Sequence, residues 1–322
     1  MVTEVLPGIF QIKVPLPNSP LKELNTYLLK GKDKHLLVDT GFNMERCKQA
    51  LLAGLREAGA ALKDLDFFLT HVHADHSALI YNLVNDESVV YFSAQDAEVL
   101  NEAVNPRYSL RIDKILLKNG FQKPLRPLAA SQRFFDKNRE LNFYLLNDGD
   151  NISVGDYNFT CLLTPGHSPG HMCLYEEEKK FILSGDHVLA DMTPNITIWL
   201  GKKDPLGEYL HSLEQMKKLP VVLALPGHRS LITDFEYRIS ELQLHHKNRL
   251  NEVESILQAG SKTAYEVASF MKWDLKNISW EEFPVMQRRF ATLEALAHLE
   301  YLFLRQKVDK KKIKETIFYC RC

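Results

Sequence analysis

The amino-acid sequence predicts an α/β fold: two β-sheets packed face to face, helices on both outer sides, a helical insertion between the halves and a helical C-terminal unit. Three observations carry this expectation. Short apolar runs of strand length alternate with segments of helical periodicity over most of the chain. This strand–helix series occurs twice, before about Asn101 and again after about Asp148. From about Ile239 the texture becomes helical and closes on a short two-strand pattern.

Residues 9–14 and 25–30 alternate or run apolar, with Pro17, Asn18 and Pro20 between them, which predicts antiparallel strands joined by a turn. HLLVDTG (35–41) reads as a buried strand ending in an Asp-Thr-Gly turn. Met44, Cys47, Leu51, Leu55 and Ala58 recur at three- and four-residue steps and predict an amphipathic helix. LDFFLT (65–70) is an apolar strand running into HVHADH, with a helix after His76, a strand at SVVYFSA (88–94) and a helix from near Gln95. The mixed-charge stretch at about 101–148, with KNGFQKP in it, reads as a partly helical insertion placed to serve as a lid or substrate wall. Strands follow around 151–163, 172–176 and 180–185, then a helix at 206–218 and the strand VVLAL (221–225) leading into Pro-Gly-His. Three helical segments and the ribbon VDKKKIKETIFYC have the outline of a winged helix. The expected domains are therefore 1–237 and 238–322.

Composition narrows the function classes. At 322 residues the chain has room for a catalytic unit and a smaller appended one. Its 45% hydrophobic and 25% charged residues are ordinary globular values, so disorder is not the default. A net charge of −1 provides no global basic field for nucleic acid, although residues 238–322 hold 15 basic against 11 acidic side chains. Five widely spaced cysteines (Cys47, Cys161, Cys173, Cys320, Cys322) without a CxxC pair suit a reducing compartment. No leader pattern and no membrane-length apolar run is evident, so the expectation is a cytoplasmic protein with no membrane partner.

The chemistry concentrates in four short segments. THVHADH places His71, His73, Asp75 and His76 directly after an apolar strand. His71 and His73, two apart, point the same way from extended backbone, whereas Asp75 and His76 lie past the turn and can face a second ion. His167 in TPGHSPGH, Asp186 in LSGDH and His228 in LPGH each follow an apolar strand and sit in a glycine-containing turn. Four strand ends would converge on one edge. Such nitrogen and oxygen donors suit two divalent metal ions, with Zn²⁺ the first choice and Fe or Mn compatible.

THVHADH, TPGH, SGD and PGH, in this order and at these separations, resemble the metallo-β-lactamase superfamily over roughly residues 1–236. The resemblance implies an αββα sandwich with His71, His73 and His167 on one metal, Asp75, His76 and His228 on the other, and Asp186 bridging. It further implies that Asp39, in LVDTG, orients a histidine ligand. Asp75 would be the catalytic residue that holds a hydroxide bound to both metals and shuttles its proton. His at 73 rather than Glu argues against the oxygen-reducing di-iron relatives. The C-terminal helices resemble the winged-helix tail of a subgroup that holds both glyoxalase II-like hydrolases and endoribonucleases.

Other residues carry weaker signals. His187, Asn195 and Tyr209 are expected to line the pocket, and His171 to be a packing residue. Arg229 stands where relatives often carry Gly. The pairs His245-His246 and Arg288-Arg289 read as solvated helical faces. The favoured function is hydrolysis of a thioester, lactone or similar small ester. A single-strand endoribonuclease assisted by the tail, and a non-catalytic nucleic-acid-binding module, are the alternatives. The corresponding partners are a small-molecule ester or thioester or single-stranded RNA, and a homodimer is admitted.

Overall fold

Strand pairing in the N-terminal half begins before the first expected strand. In the computed structural model, which describes residues 2–103, 105–121, 141–273 and 278–322, β1 (Val2–Leu6) pairs antiparallel with β2 (Ile9–Pro15). β3 (Glu23–Leu29), β4 (His35–Val38), β5 (Leu65–Phe68), β6 (Val90–Ser93) and β7 (Tyr144–Leu146) complete a seven-stranded sheet in sequential order. β4 to β7 run parallel, so their C-terminal ends lie at one edge.

The second sheet has the order β12-β11-β10-β9-β8. Its strands are β8 (Asn151–Val154), β9 (Tyr157–Leu163), β10 (Met172–Glu176), β11 (Phe181–Gly185) and β12 (Leu223–Pro226). β11 and β12 are parallel, and β9 shares their direction because both it and β11 are antiparallel to β10.

Period-two alternation sends each strand's side chains into different layers. Tyr27, Leu29, Leu36, Val38 and Phe68 face Phe159, Met172, Leu174, Phe181, Leu183 and Leu225 between the sheets. The intervening Leu28, Leu37 and Phe67 turn outward onto Cys47, Leu51 and Leu55 of helix α1 (Glu45–Glu57). On the opposite outer face, Cys173, Tyr175, Ile182 and Ala224 pack with Leu206, Tyr209 and Leu213 of a later helix (Pro205–Met216). Four layers result, helix–sheet–sheet–helix.

The helix after His76 is a single turn, α2 (Ala74–Ser77), continued by a 3-10 turn over Ala78–Asn82. α3 (Ala94–Ala103) follows β6, and α4 (Pro106–Lys118) follows α3. Residues 122–140 of the expected 101–148 insertion lie outside the described residues. Its far end is not insertion, because β7 pairs with β6 and belongs to the first sheet.

The helix over Pro205–Met216 is α5, and α6 (Phe235–Ile256) starts at its N-cap Asp234, whose side chain accepts from Tyr237 N. α6 runs uninterrupted through residue 238: Phe235, Ile239 and Leu242 pack on the second sheet's outer layer, while Val253 enters a separate C-terminal core. That core joins α6 to α7 (Ala264–Phe270), α8 (Val285–Leu304) and the ribbon β13 (Val308–Ile313) and β14 (Thr316–Arg321). α8 is buried on nearly every side, including Leu293, Leu296, Ala297, Leu299 and Leu302. The solvated-face expectation fails here: Arg288 and Arg289 are 6% and 7% exposed, and His246 on α6 is fully buried against His298. Tertiary packing covers what the local pattern left open. No helix among the described residues is long and apolar enough to cross a membrane.

Phe159 is fully buried between the sheets, with edge contacts to Phe181. Phe159→Ala is expected to cost about 3–5 kcal/mol of stability, read from a lowered urea midpoint at unchanged slope.

Candidate metal centre

The strands that end at the common edge supply the site. β4 delivers Asp39, β5 delivers His71, His73, Asp75 and His76, β9 delivers His167, β11 delivers Asp186 and β12 delivers His228. Two turns need glycine sterically. A Cβ on Gly227 would stand 2.7 Å from both Asp186 Oδ1 and His76 Cε1, and one on Gly185, at φ +48°, would stand 2.6 Å from His171 Nε2.

All seven side chains expected as ligands are brought together. His71, His73 and His167 form one group whose donor atoms could hold a metal ion, His71, His76 and Asp186 a second, and Asp75, His76 and His228 a third. Asp186 lies among the imidazoles, 3.5 Å from both His76 Nε2 and His228 Nε2 and 3.8 Å from His167 Nε2. Asp75 Oδ2 lies 3.5 Å from His228 Nε2.

The outer hydrogen bonds set the tautomers. His76 Nδ1 donates to Asp39 Oδ2 at 2.7 Å, His228 Nδ1 to Glu23 O at 2.7 Å and His167 Nδ1 to Asn195 O at 3.0 Å. In each neutral ring Nε2 then carries a lone pair directed inward. Yet His76 Nε2 and His228 Nε2 are 3.2 Å apart, His71 Nε2 and His73 Nδ1 are 3.0 Å apart, and the buried atoms His167 Nε2 and Asp186 Oδ1 have no hydrogen-bond partner. A proton or a metal ion among these atoms would satisfy them, and the donor set fits divalent metal.

Ionisation follows the same logic. Burial and the neighbouring His73 pull His167 down to about 3. Burial also opposes the charge on His76, but Asp186 and Asp39 outweigh it and raise this imidazole well above its ordinary range. Asp75 is held at about 2, against the effect of burial, by its hydrogen bond to His228 and by the charges of His76 and His228. The cluster thus demands positive charge, whether a proton or a metal ion supplies it.

Around the cluster, Asp39 adopts a left-handed backbone, φ 61°, and also accepts from Thr70 N at 2.8 Å and from Thr70 Oγ1. His171 donates no lone pair inward: its Nε2 accepts from Asp186 N at 3.1 Å, and Nδ1 meets Thr164 Oγ1 at 2.8 Å. Trp199 stacks on His73 and donates through Nε1 to His167 O. His187 and Tyr209 are fully buried, with Tyr209 donating to His187 O, so they lie beneath the cluster and not along an opening. Asn195 reaches it through its backbone carbonyl. Arg229, at φ 68°, occupies the left-handed region that Gly would accept freely, with its guanidinium 3.9 Å from Asp191.

Sequence reasoning missed Asp96. This fully buried carboxylate accepts from Val72 N at 2.8 Å, between His71 and His73, and from Ser168 Oγ and Gly170 N at 2.6 Å each. It ties together the two loops that carry candidate ligands. An acid at the start of α3 resembles any helix-start carboxylate, so the sequence held no separate signal for it.

A family model described as the metallo-beta-lactamase superfamily matches residues 23–228, and the chain belongs to that superfamily of metallo-hydrolases. A probable metallo-hydrolase of Bacillus subtilis (strain 168) is 26% identical over 99% of this chain and 98% of that protein. Acyl-coenzyme A thioesterase MBLAC2 of Gallus gallus is 31% identical over 69% of this chain and 77% of that protein. Among solved structures, a metallo-beta-lactamase family protein from Thermus thermophilus superposes with a TM-score of 0.82 at 30% identity, covering 99% of this chain and 100% of that one.

Two outcomes are expected from the supporting shell. Asp39→Asn should weaken metal affinity about 10–100-fold in a chelator competition, with the circular dichroism of the fold retained. Burial pushes the Asp96 carboxyl from its usual 3.8 up to about 6, against the three donors that favour its charge. The stability of its protonated form is therefore present below about pH 4 and is lost as pH rises through about 6. Asp96→Asn should accordingly cost less stability at about pH 7 than at about pH 4; equal costs in urea titrations would contradict the burial effect.

Proposed function

We propose that this protein is a dinuclear metal-dependent hydrolase acting on a thioester, lactone or similar small ester. The observation that carries the reading is the convergence of seven ligand-type side chains, five of them buried, around the unpartnered atoms His167 Nε2 and Asp186 Oδ1. In this assignment His71, His73 and His167 hold one ion, Asp75, His76 and His228 the other, and Asp186 lies between them. Two divalent ions bound there, zinc being the first choice, would supply Lewis acidity and a water of lowered pKa.

The chain's own residues do the rest. Asp75, the more exposed of the two carboxylates in the cluster and held ionised, is placed to accept and return a proton at Oδ2. Asp39, Glu23 O and Asn195 O fix the imidazoles before substrate arrives, so little reorganisation is needed during reaction. Trp199 walls one side of His73.

The thioester preference is supported by the similarity to proteins named as acyl-coenzyme A thioesterases. We assign residues 1–237 to the catalytic unit and 238–322 to a winged-helix-like unit, and a cytoplasmic location. No observation favours the endoribonuclease, since Arg288 and Arg289 are buried and offer no basic face to a phosphate backbone.

The test sets the metal-reconstituted chain beside Asp75→Asn, with acyl-thioesters, lactones and labelled single-stranded RNA. Thioester or lactone turnover is expected to fall at least about 100-fold in the variant, with lower metal occupancy and intact RNA throughout. RNA cleavage that disappears in the variant would replace this reading with the nuclease.

A further inference from the structure

Two adjacent arginines on α8 meet different fates. Arg289 is ion-paired with Asp113 of α4. Arg288 is as deeply buried, 6% exposed, but its Nε has no hydrogen-bond partner, and no ion pair reaches it among the described residues. A guanidinium cannot relieve burial by losing its proton, so an unpaired one is a standing cost to the fold. A charge kept at such cost points to a ligand.

Arg288 lines a cavity of about 700 Å³ where α4, α7, α8 and β14 meet, within the usual range for small-molecule sites. Leu117, Phe121, Tyr265 and Phe318 give it apolar and aromatic walls. Glu266 is the acid among its described lining residues, and its Oε2 is already committed to Thr263 N at 2.7 Å and Thr263 Oγ1 at 2.9 Å. None of the seven candidate metal ligands lines this cavity.

We propose that the cavity is a second ligand site in which Arg288 recognises a small organic anion, an acidic group such as carboxylate, sulfonate or phosphate on an apolar or aromatic body. The guanidinium would fork onto the anionic oxygens while the rings hold the body. The site stands independently of the hydrolase reading.

Isothermal titration of the metal-loaded full chain with benzenesulfonate, a poor metal ligand, and with benzoate tests it without turnover. Saturable binding is expected, weakened about tenfold or more in Arg288→Gln. Leu117→Trp, at a half-exposed position on the cavity wall, should block binding while leaving the fold intact. Arg288→Gln should melt no lower than the wild type, because it removes an unpaired buried charge; a guanidinium with a merely structural role would lower the melting temperature. Absence of binding to the wild type, unchanged affinity in Arg288→Gln, or full binding by a folded Leu117→Trp would overturn the proposal.

Kinetics then assign the occupant. A KM raised by Arg288→Gln for acyl-coenzyme A but not for a neutral thioester makes it the reactant's own anionic tail. An unchanged KM for both, with anion binding lost, makes it a separate effector.

Discussion

Two imidazole nitrogens, His76 Nε2 and His228 Nε2, face each other at 3.2 Å with their protons committed on the opposite side of each ring. Electrostatics makes this arrangement unfavourable for a neutral chain on its own, and the rest of the molecule can be understood as what holds it in place. The outer partners come from distant stretches: Asp39 from β4, Glu23 O from β3 and Asn195 O from the segment after β11. Each fixes one ring and directs its lone pair inward. The free energy that keeps them converged comes largely from the layers of apolar side chains behind them, because the facing imidazole nitrogens repel one another unless a proton or a metal ion lies between them.

Precision at the edge is shared among groups that never face the centre. Asp96 binds the backbone of the His71–His73 loop and of the loop after His167 at once, so the two halves of the sandwich cannot drift apart without breaking buried hydrogen bonds. His171 performs a related task for Asp186 by accepting its backbone N–H. Buried polar groups are costly unless satisfied, and the side chains of Asp96 and His171 both meet specific partners. That pattern suits a rigid, preorganised centre.

The C-terminal elements are bound to the sandwich as well as to one another. α6 starts on the second sheet and finishes in the C-terminal core, Arg289 reaches Asp113 on α4, and Arg305 pairs with Asp204 at the start of α5. Leu293 of α8 packs with Ile112 and Leu116 of α4 and with Ile198, in the segment that also carries Trp199. The cluster that holds Phe121 and Tyr265 of the cavity wall thus also holds Ile198, the sequence neighbour of Trp199 at the candidate metal centre.

Much of this was legible in the chain. The strands leading into HVHADH, TPGH, SGD and PGH are apolar runs ended by turn residues, a local signal, and all seven ligand-type residues stand beside such ends. β1 and β7 escaped notice because a short VTEVL and a three-residue YLL carry little pattern without their sheet partners. Arg288, Arg289 and His246 were read as solvated because sequence cannot say which polar helix face another helix will cover. The sequence by itself determined the order of the elements and the chemical identity of the donors, since periodicity and turn chemistry act over neighbouring residues. Only the tertiary structure decided that Asp96 joins two loops, that His171 is taken by a backbone N–H and that Arg288 Nε is buried without a partner, because each depends on contacts between separate elements that no local propensity encodes.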